Sequence, residues 1–155
     1  MSNIMENQQL EVHNLISLRG KMRQEEIPGA MQKLKAYADA QGVKPVGGPI
    51  SVTFAVEQTA EGLLTDTELL MPVDGKTSDN EEIIWKDRLF ITNAVLLKYA
   101  GSPAMFQNAC NELNTYIEEK GYTPITAGYT VTKGVDQLSG TMEMEVYVGL
   151  SPNVL

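Results

Sequence analysis

IPGAMQKLKAYADAQGVKP, residues 27–45, has a counterpart 79 positions later in FQNACNELNTYIEEKGYTP, residues 106–124. Both stretches carry apolar residues at i, i+3, i+4, i+7, i+10 and i+11, which is the spacing of one face of an α-helix. Both then reach a glycine, Gly42 or Gly121, and a proline three residues later, which is typical of the end of a helix. The two stretches therefore predict two similar amphipathic helices, each packed on one face of a sheet.

The correspondence continues on both sides of the helices. An offset of 79 residues aligns twelve identical positions between residues 10–58 and 89–137, and an offset of 77 then aligns Glu68 with Glu145. Each half also has three segments that are rich in β-branched residues or alternate in polarity, which indicates strands. These segments are residues 12–21, 50–56 and 64–73 in the first half, and 90–99, 129–135 and 141–150 in the second.

The sequence thus predicts one α+β domain over residues 1–155, made of two duplicated β-α-β-β repeats. The repeats are residues 10–73 and 89–150. A polar, turn-prone linker, residues 74–88, joins them. Ile83, Ile84 and Trp85 interrupt the polarity of this linker, so we expect its end to pack on the protein.

Composition excludes several classes of function. The 155 residues hold 12 Lys and Arg against 20 Asp and Glu, a formal charge of −8, which disfavours a broad nucleic-acid-binding surface. One cysteine, Cys110, excludes an internal disulfide framework and a multi-cysteine zinc site. One histidine, His13, disfavours a histidine metal site and a Ser-His-Asp triad. We therefore expect no metal and no cofactor.

The sequence also indicates where the protein acts. Residues 1–9 are polar and lack the apolar core of a signal peptide, and no window approaches the roughly 18 apolar residues that span a bilayer. We expect a cytoplasmic protein with no membrane contact. About ten residues precede the first predicted strand, so we expect no helix-turn-helix before the domain and no direct binding of nucleic acid.

With this doubled plan the chain resembles the gyrase-inhibitor-like family. Members of this family are the effector-binding domains of AraC-type and MerR-type multidrug regulators, and they also occur as stand-alone proteins. The SOUL heme-binding proteins look like a more distant version of the same duplicated fold. The resemblance rests on the doubled plan and on three segments. These are the helix end at residues 116–124, Lys98-Tyr99-Ala100-Gly101-Ser102 before the helix, and Met144-Glu145-Val146-Tyr147-Val148, which is similar to a Glu-Ile-Tyr-Leu-Pro strand of the family.

The resemblance implies an architecture and a ligand class. In the family, two repeats with antiparallel sheets are related by a pseudo-twofold axis, with both helices on one side and a concave groove on the other. The groove binds small molecules that are often cationic and aromatic. A buried glutamate from the last strand is the usual anchor, and Glu145 stands at that position.

Strand alternation gives Glu145 a direction. Met142, Met144, Val146, Val148 and Leu150 share one face and should meet the helices, which sends Glu145 and Tyr147 to the opposite face. A carboxylate beside aromatic rings in a concavity suits a lipophilic cation. Glu68 is the equivalent residue of the first repeat. The alternative is that this face is simply wet, and that its glutamates make ordinary contacts with solvent.

Three further aromatic residues are candidates for the groove: Phe54, Trp85 and Tyr129. Phe54 shares a predicted strand face with Ile50, Val52 and Val56, which favours a place in the core. Trp85 ends the linker and either closes the groove or covers a sheet edge.

The leading interpretation is a stand-alone, bacterial-type protein that senses or sequesters an amphipathic or cationic small molecule in a groove between the repeats, without chemistry on it. One alternative is a protein-interaction module or inhibitor that acts through its surface. Another is a small hydrolase that uses a Glu/Tyr pair such as Glu145 and Tyr147, although no other residue marks a nucleophile. We expect a monomer or a weak dimer.

Overall fold

The computed structural model describes residues 2–151. Short 3-10 turns precede both helices, and the strands within each half of the chain pair in antiparallel fashion. In chain order the elements are β1 (Ser2–Met22), α1 (Ile27–Ala40), β2 (Ile50–Thr59), β3 (Gly62–Pro72), β4 (Ile83–Gly101), α2 (Phe106–Glu119), β5 (Tyr129–Asp136) and β6 (Thr141–Gly149). The predicted α+β class with antiparallel strands and two helices is confirmed.

The described chain divides into two compact units. Residues 12–89 form the first unit, and residues 2–11 together with 90–151 form the second. In the first unit β3 lies between β1 and β2, and in the second β6 lies between β4 and β5. Each unit therefore has one helix and the same order of antiparallel strands.

Both helices bury the apolar faces that their spacing predicts. Leu34 and Ala38 of α1 are fully buried against strands β1 and β3 in the first unit. In the second unit, Ala109, Leu113 and Ile117 of α2 are buried against β4 and β6. Burying a leucine side chain contributes about 2 kcal/mol, so these two stripes hold each helix on its sheet.

The two long strands each contain an asparagine with a positive φ angle at positions that the 79-residue offset aligns. Asn14 in β1 and Asn93 in β4 have positive φ angles of 58° and 48°, a conformation that asparagine tolerates better than most residues. Their carbonyls accept hydrogen bonds from Val73 (2.8 Å) and Leu150 (3.1 Å), respectively, just beyond the ends of β3 and β6. The positive φ angle at both positions thus explains why both halves have an asparagine there.

Two sequence boundaries were wrong. β1 begins at Ser2, so the polar residues 2–9 belong to a strand, and β4 begins at Ile83 inside the predicted linker. A strand that is buried on one face needs only occasional apolar residues, and Ile4 and Ile83 supply them by packing on the cores of the second and first units. No helix among residues 2–151 has the length and apolar character needed to cross a membrane.

Candidate functional site

The last strand sorts its side chains as predicted. Val146 and Val148 of β6 pack into the core below α2, so Glu145 and Tyr147 lie on the opposite face of the sheet. Tyr129 of β5 pairs directly with Tyr147. The second unit therefore brings together three of the six candidate residues on adjoining strands.

Glu145 is held at one oxygen only. The Tyr147 hydroxyl donates a 2.9 Å hydrogen bond to Glu145 Oε1, and Lys133 Nζ lies 3.8 Å from the same atom. Among the described residues, Glu145 Oε2 accepts no hydrogen bond. The Glu145 side chain is 16% exposed. The carboxylate is thus mostly removed from solvent and keeps one oxygen available.

Tyr147 is fixed in its protonated form. The residue is buried, and this burial, with the hydrogen bond to the Glu145 carboxylate as the second cause, raises the pKa of Tyr147 to about 12. At neutral pH the hydroxyl therefore acts as a donor to Glu145, because ionising it would place two anions side by side.

A cavity of about 330 Å³ opens beside Glu145 in the second unit. Its charged lining comes from β4, β5 and β6 and contains two lysines and two glutamates. The lining residues are Asn3, Lys98, Tyr99, Ala100, Lys133, Glu143, Met144 and Glu145. The volume lies at the lower end of the range for pockets that bind small molecules.

Glu68 occupies the equivalent strand position in the first unit, but its carboxylate is buried and already paired, which we call closed. Ser17 Oγ donates a 2.5 Å hydrogen bond to Glu68 Oε2, and Lys86 Nζ contacts the same oxygen at 2.6 Å. Glu68 is only 5% exposed. Its charge is therefore neutralised by a lysine of its own unit.

Phe54 does not lie in the core, so this expectation was wrong. The β2 register shifts between Thr53 and Ala55, and this bulge takes Phe54 out of the alternation that buries Ile50 and Val52. Phe54 is 39% exposed. The Arg19 guanidinium carbon lies 4.0 Å from the centre of the Phe54 ring.

Trp85 is separated from Glu68 by the sheet. Its ring packs against the core under α1, and Lys76 Nζ lies 5.2 Å from the ring centre. The next residue, Lys86, points to the other face and contacts Glu68. Trp85 therefore does not line the same face as Glu68.

The sequence reasoning missed Ser17, Lys86 and Lys133. Lys133 lies at a bulge between Thr132 and Gly134. The 79-residue offset aligns Lys133 with Phe54, so this alignment could have marked Lys133 as a candidate site residue. The alternation from Trp85 could likewise have placed Lys86 on the face of Glu68. Within residues 2–151, no group of three or more His, Cys, Asp or Glu side chains is arranged to hold a metal ion.

No protein-family model matches the chain, and no curated protein matches it.

Solved structures do resemble the chain. The C-terminal domain of EcmrR matches with a TM-score of 0.75 at 14% identity, over 97% of this chain and 98% of that one. The EcmrR chain in a complex with DNA matches with a TM-score of 0.71 at 17% identity, and there this chain spans 97% of its own length but only 57% of the longer chain.

Two other solved structures have the same fold. SAV2435 bound to tetraphenylphosphonium matches with a TM-score of 0.54 at 14% identity, over 96% of this chain and 95% of that one. A hydrolase from Listeria innocua matches with a TM-score of 0.59 at 14% identity, over 97% and 91%. The chain therefore shares its fold with the C-terminal domain of EcmrR, in agreement with the fold that the family resemblance implies.

Proposed function

We propose that this protein binds a small amphipathic molecule with a positive charge, and that Glu145 is the anionic contact. Tyr147 donates a hydrogen bond to this carboxylate, and Tyr129 pairs with Tyr147 on the neighbouring strand. The protein would sense or sequester its ligand without changing it. The fold shared with SAV2435, which is bound to tetraphenylphosphonium, supports a ligand of this class.

One observation carries the proposal: the carboxylate of Glu145 is largely buried, and one of its oxygens is unused among the described residues. Removing a carboxylate from water costs free energy unless a donor or a cation compensates. Tyr147 supplies one hydrogen bond, and the lysine ion pair is long at 3.8 Å. A bound cation would supply the missing compensation.

The proposal takes the two units as products of an internal duplication in which one acidic position became a binding residue. Glu68 and Glu145 are then equivalent in descent but not in environment. Ser17 and Lys86 already satisfy Glu68. We therefore assign the ligand contact to Glu145, and we expect one ligand per chain.

Calorimetric titration with tetraphenylphosphonium tests the proposal. The wild type should bind one equivalent, and Glu145→Gln, which removes the charge but keeps the shape, should weaken binding about tenfold or more, the factor expected for one lost charged contact of about 1.4 kcal/mol. Glu57→Gln is the matched control, because it removes a carboxylate that is exposed and paired with Lys21 at 3.7 Å. Absence of binding by the wild type, or equal affinities for wild type and Glu145→Gln, would contradict the proposal.

A hydrolase is the second candidate, because Tyr147 and Glu145 are in direct contact. A protonated tyrosine could polarise a carbonyl group, and a carboxylate could act as a general base toward water. Assays with a panel of aryl esters separate the two candidates. Binding alone predicts no turnover that is sensitive to Glu145→Gln or Tyr147→Phe, whereas ester hydrolysis lost in both variants would favour the enzyme.

A further inference from the structure

A cation of the protein itself lies at the proposed anchor. Lys133 projects from the β5 bulge, and its Nζ is 3.8 Å from Glu145 Oε1. The Lys133 side chain is 50% exposed, whereas that of Glu145 is 16% exposed. The lysine is therefore free to move into solvent, and the carboxylate is not.

Two more charges line the same cavity. Lys98 lies directly across from Glu145 in the β4–β6 register, and Glu143 lies two residues before Glu145 in β6. Neither Lys98 nor Glu143 makes a hydrogen bond or an ion pair with another residue in the described part of the chain. Among the described residues, the cavity thus presents two positive and two negative side chains, and the one ion pair between them is the long contact of Lys133 with Glu145.

We infer, on the basis of the proposed function, that Lys133 is a specificity-determining residue that disfavours simple cations at Glu145 and favours zwitterions. A bare cation must compete with Lys133 for the negative charge of the carboxylate, even at the unused Oε2, and the Lys133 ammonium group repels it. A ligand with an anionic group next to its cationic centre pairs with both side chains. Lys98 adds a second positive group for the anionic end.

A matched pair of probes measures this preference. Pentyl-triphenylphosphonium is a lipophilic cation, and carboxybutyl-triphenylphosphonium has the same chain length with a carboxylate in place of the terminal methyl. In calorimetry at low salt, the wild type should bind the carboxylate probe about two- to fivefold more tightly than the alkyl probe, the range expected for one partly exposed ion pair. Lys133→Met keeps a long side chain without charge and should reverse this order.

Lys33→Met is the control for the loss of one positive charge. Lys33 lies on α1, where its Nζ is 3.2 Å from Glu82, and both side chains are about 60% exposed. This variant should keep the wild-type order of the two probes. If Lys33→Met changes the ratio as much as Lys133→Met does, the effect is a general one of net charge and the inference is wrong.

A double-mutant cycle completes the test. Lys133→Met should raise the affinity for the alkyl probe by a larger factor in the wild-type background than in the Glu145→Gln background, because repulsion by Lys133 remains without the carboxylate but competition for it does not. An equal rise in both backgrounds would overturn the inference. If binding depends on Glu145 but does not change in Lys133→Met, this inference alone is overturned. If neither probe binds to the wild type or to Lys133→Met, the proposed function is overturned as well.

Discussion

Glu68 in the first unit and Glu145 in the second stand at equivalent positions of equivalent strands, yet only one of them is closed. Glu68 Oε2 receives a serine hydroxyl and a lysine at 2.5 and 2.6 Å, and the residue is 5% exposed. Glu145 has one tyrosine hydroxyl at 2.9 Å and a lysine at 3.8 Å. The glutamate at this position thus forms a structural ion pair in the first unit and is an incompletely paired anion in the second.

The neighbouring positions explain this difference. With the 79-residue offset, Ser17 corresponds to Leu96 and Lys86 corresponds to Asn7, so the second unit lacks both partners that close Glu68. A buried carboxylate that loses its partners becomes costly, and a ligand can then supply what the sequence does not.

A second set of equivalent positions differs in the same direction. In the first unit Arg19 donates two hydrogen bonds to Asp66, at 3.1 and 2.9 Å, and lies over the Phe54 ring. The second unit has Lys98, Glu143 and Lys133 at the corresponding positions, and these three residues line an open cavity. At these positions the first unit pairs its charged side chains with each other, and the second leaves its charged side chains accessible.

The largest expected effect tests whether the two units are equal in their cores. Leu34→Ala and Leu113→Ala truncate equivalent leucines of α1 and α2 that are 0% and 2% exposed. Each should lower the free energy of unfolding by about 2–5 kcal/mol, the range for a leucine removed from a packed core. Urea denaturation measures both. If the costs differ by more than about half, the units are not equivalent even in their packing.

The next effect separates the two lysines. Lys86→Met leaves Glu68 buried without its cation and should cost about 2–3 kcal/mol, less than the full penalty for breaking a buried pair because Lys86 is 42% exposed. Lys133→Met removes a long, half-exposed pair and should cost under about 1 kcal/mol. Urea denaturation of the two variants compares them directly. An equal loss of stability would mean that Glu145 depends on its lysine as much as Glu68 does.

A smaller effect concerns Phe54, which was a candidate ligand residue. Phe54→Ala removes the ring that lies under Arg19 and should lower the free energy of unfolding by about 0.5–1 kcal/mol, the value of an exposed cation–π contact. Because Arg19 keeps its two hydrogen bonds to Asp66, the change should remain local. Binding of tetraphenylphosphonium should stay within about twofold of wild type. A large loss of affinity would show that the first unit takes part in binding.

The smallest effect is a pH dependence from a contact between tyrosine and a carboxylate that the equivalent tyrosine of the first unit does not make. In the second unit Tyr116 and Tyr122 donate to the Glu6 carboxylate, which lowers the pKa of Glu6 and raises the pKa of Tyr116 to about 12. The equivalent tyrosine of the first unit, Tyr37, donates to the backbone carbonyl of Ser78, which does not titrate. The contribution of Glu6 is therefore complete above its usual pKa and is lost as the pH falls through its lowered value, while that of Tyr116 is lost as the pH rises from 10 toward 12.

Glu6→Gln should flatten the acid side of the stability curve, and Tyr37→Phe should leave its shape unchanged. Urea midpoints measured from pH 3 to 7 for wild type and both variants give the comparison. An acid limb of unchanged steepness in Glu6→Gln would show that this carboxylate does not control the pH dependence of the second unit.

The sequence predicted the features that depend on periodicity. The spacing of apolar residues, which is similar in both halves, predicted the helices at residues 27–40 and 106–119 and their buried faces. Alternation along the last strand predicted the direction of Glu145 and Tyr147. The prediction that Phe54 lies in the core was wrong because a bulge shifts the alternation by one residue. The local composition of β2 does not indicate that bulge. Ser17 and Lys86 reach Glu68 from residues far away in the sequence, so their role depends on strand pairing that a single sequence does not state.

The proposed function requires that Glu145, and not Glu68, receives the positive charge of the ligand. Carboxylate carbon chemical shifts of glutamate, measured by NMR during titration with tetraphenylphosphonium and assigned with Glu145→Gln and Glu68→Gln, test this claim most directly. We expect the Glu145 signal to move and saturate at one equivalent, while the Glu68 signal stays in place. A shift confined to Glu68, or equal shifts of both signals, would contradict the assignment of ligand binding to Glu145.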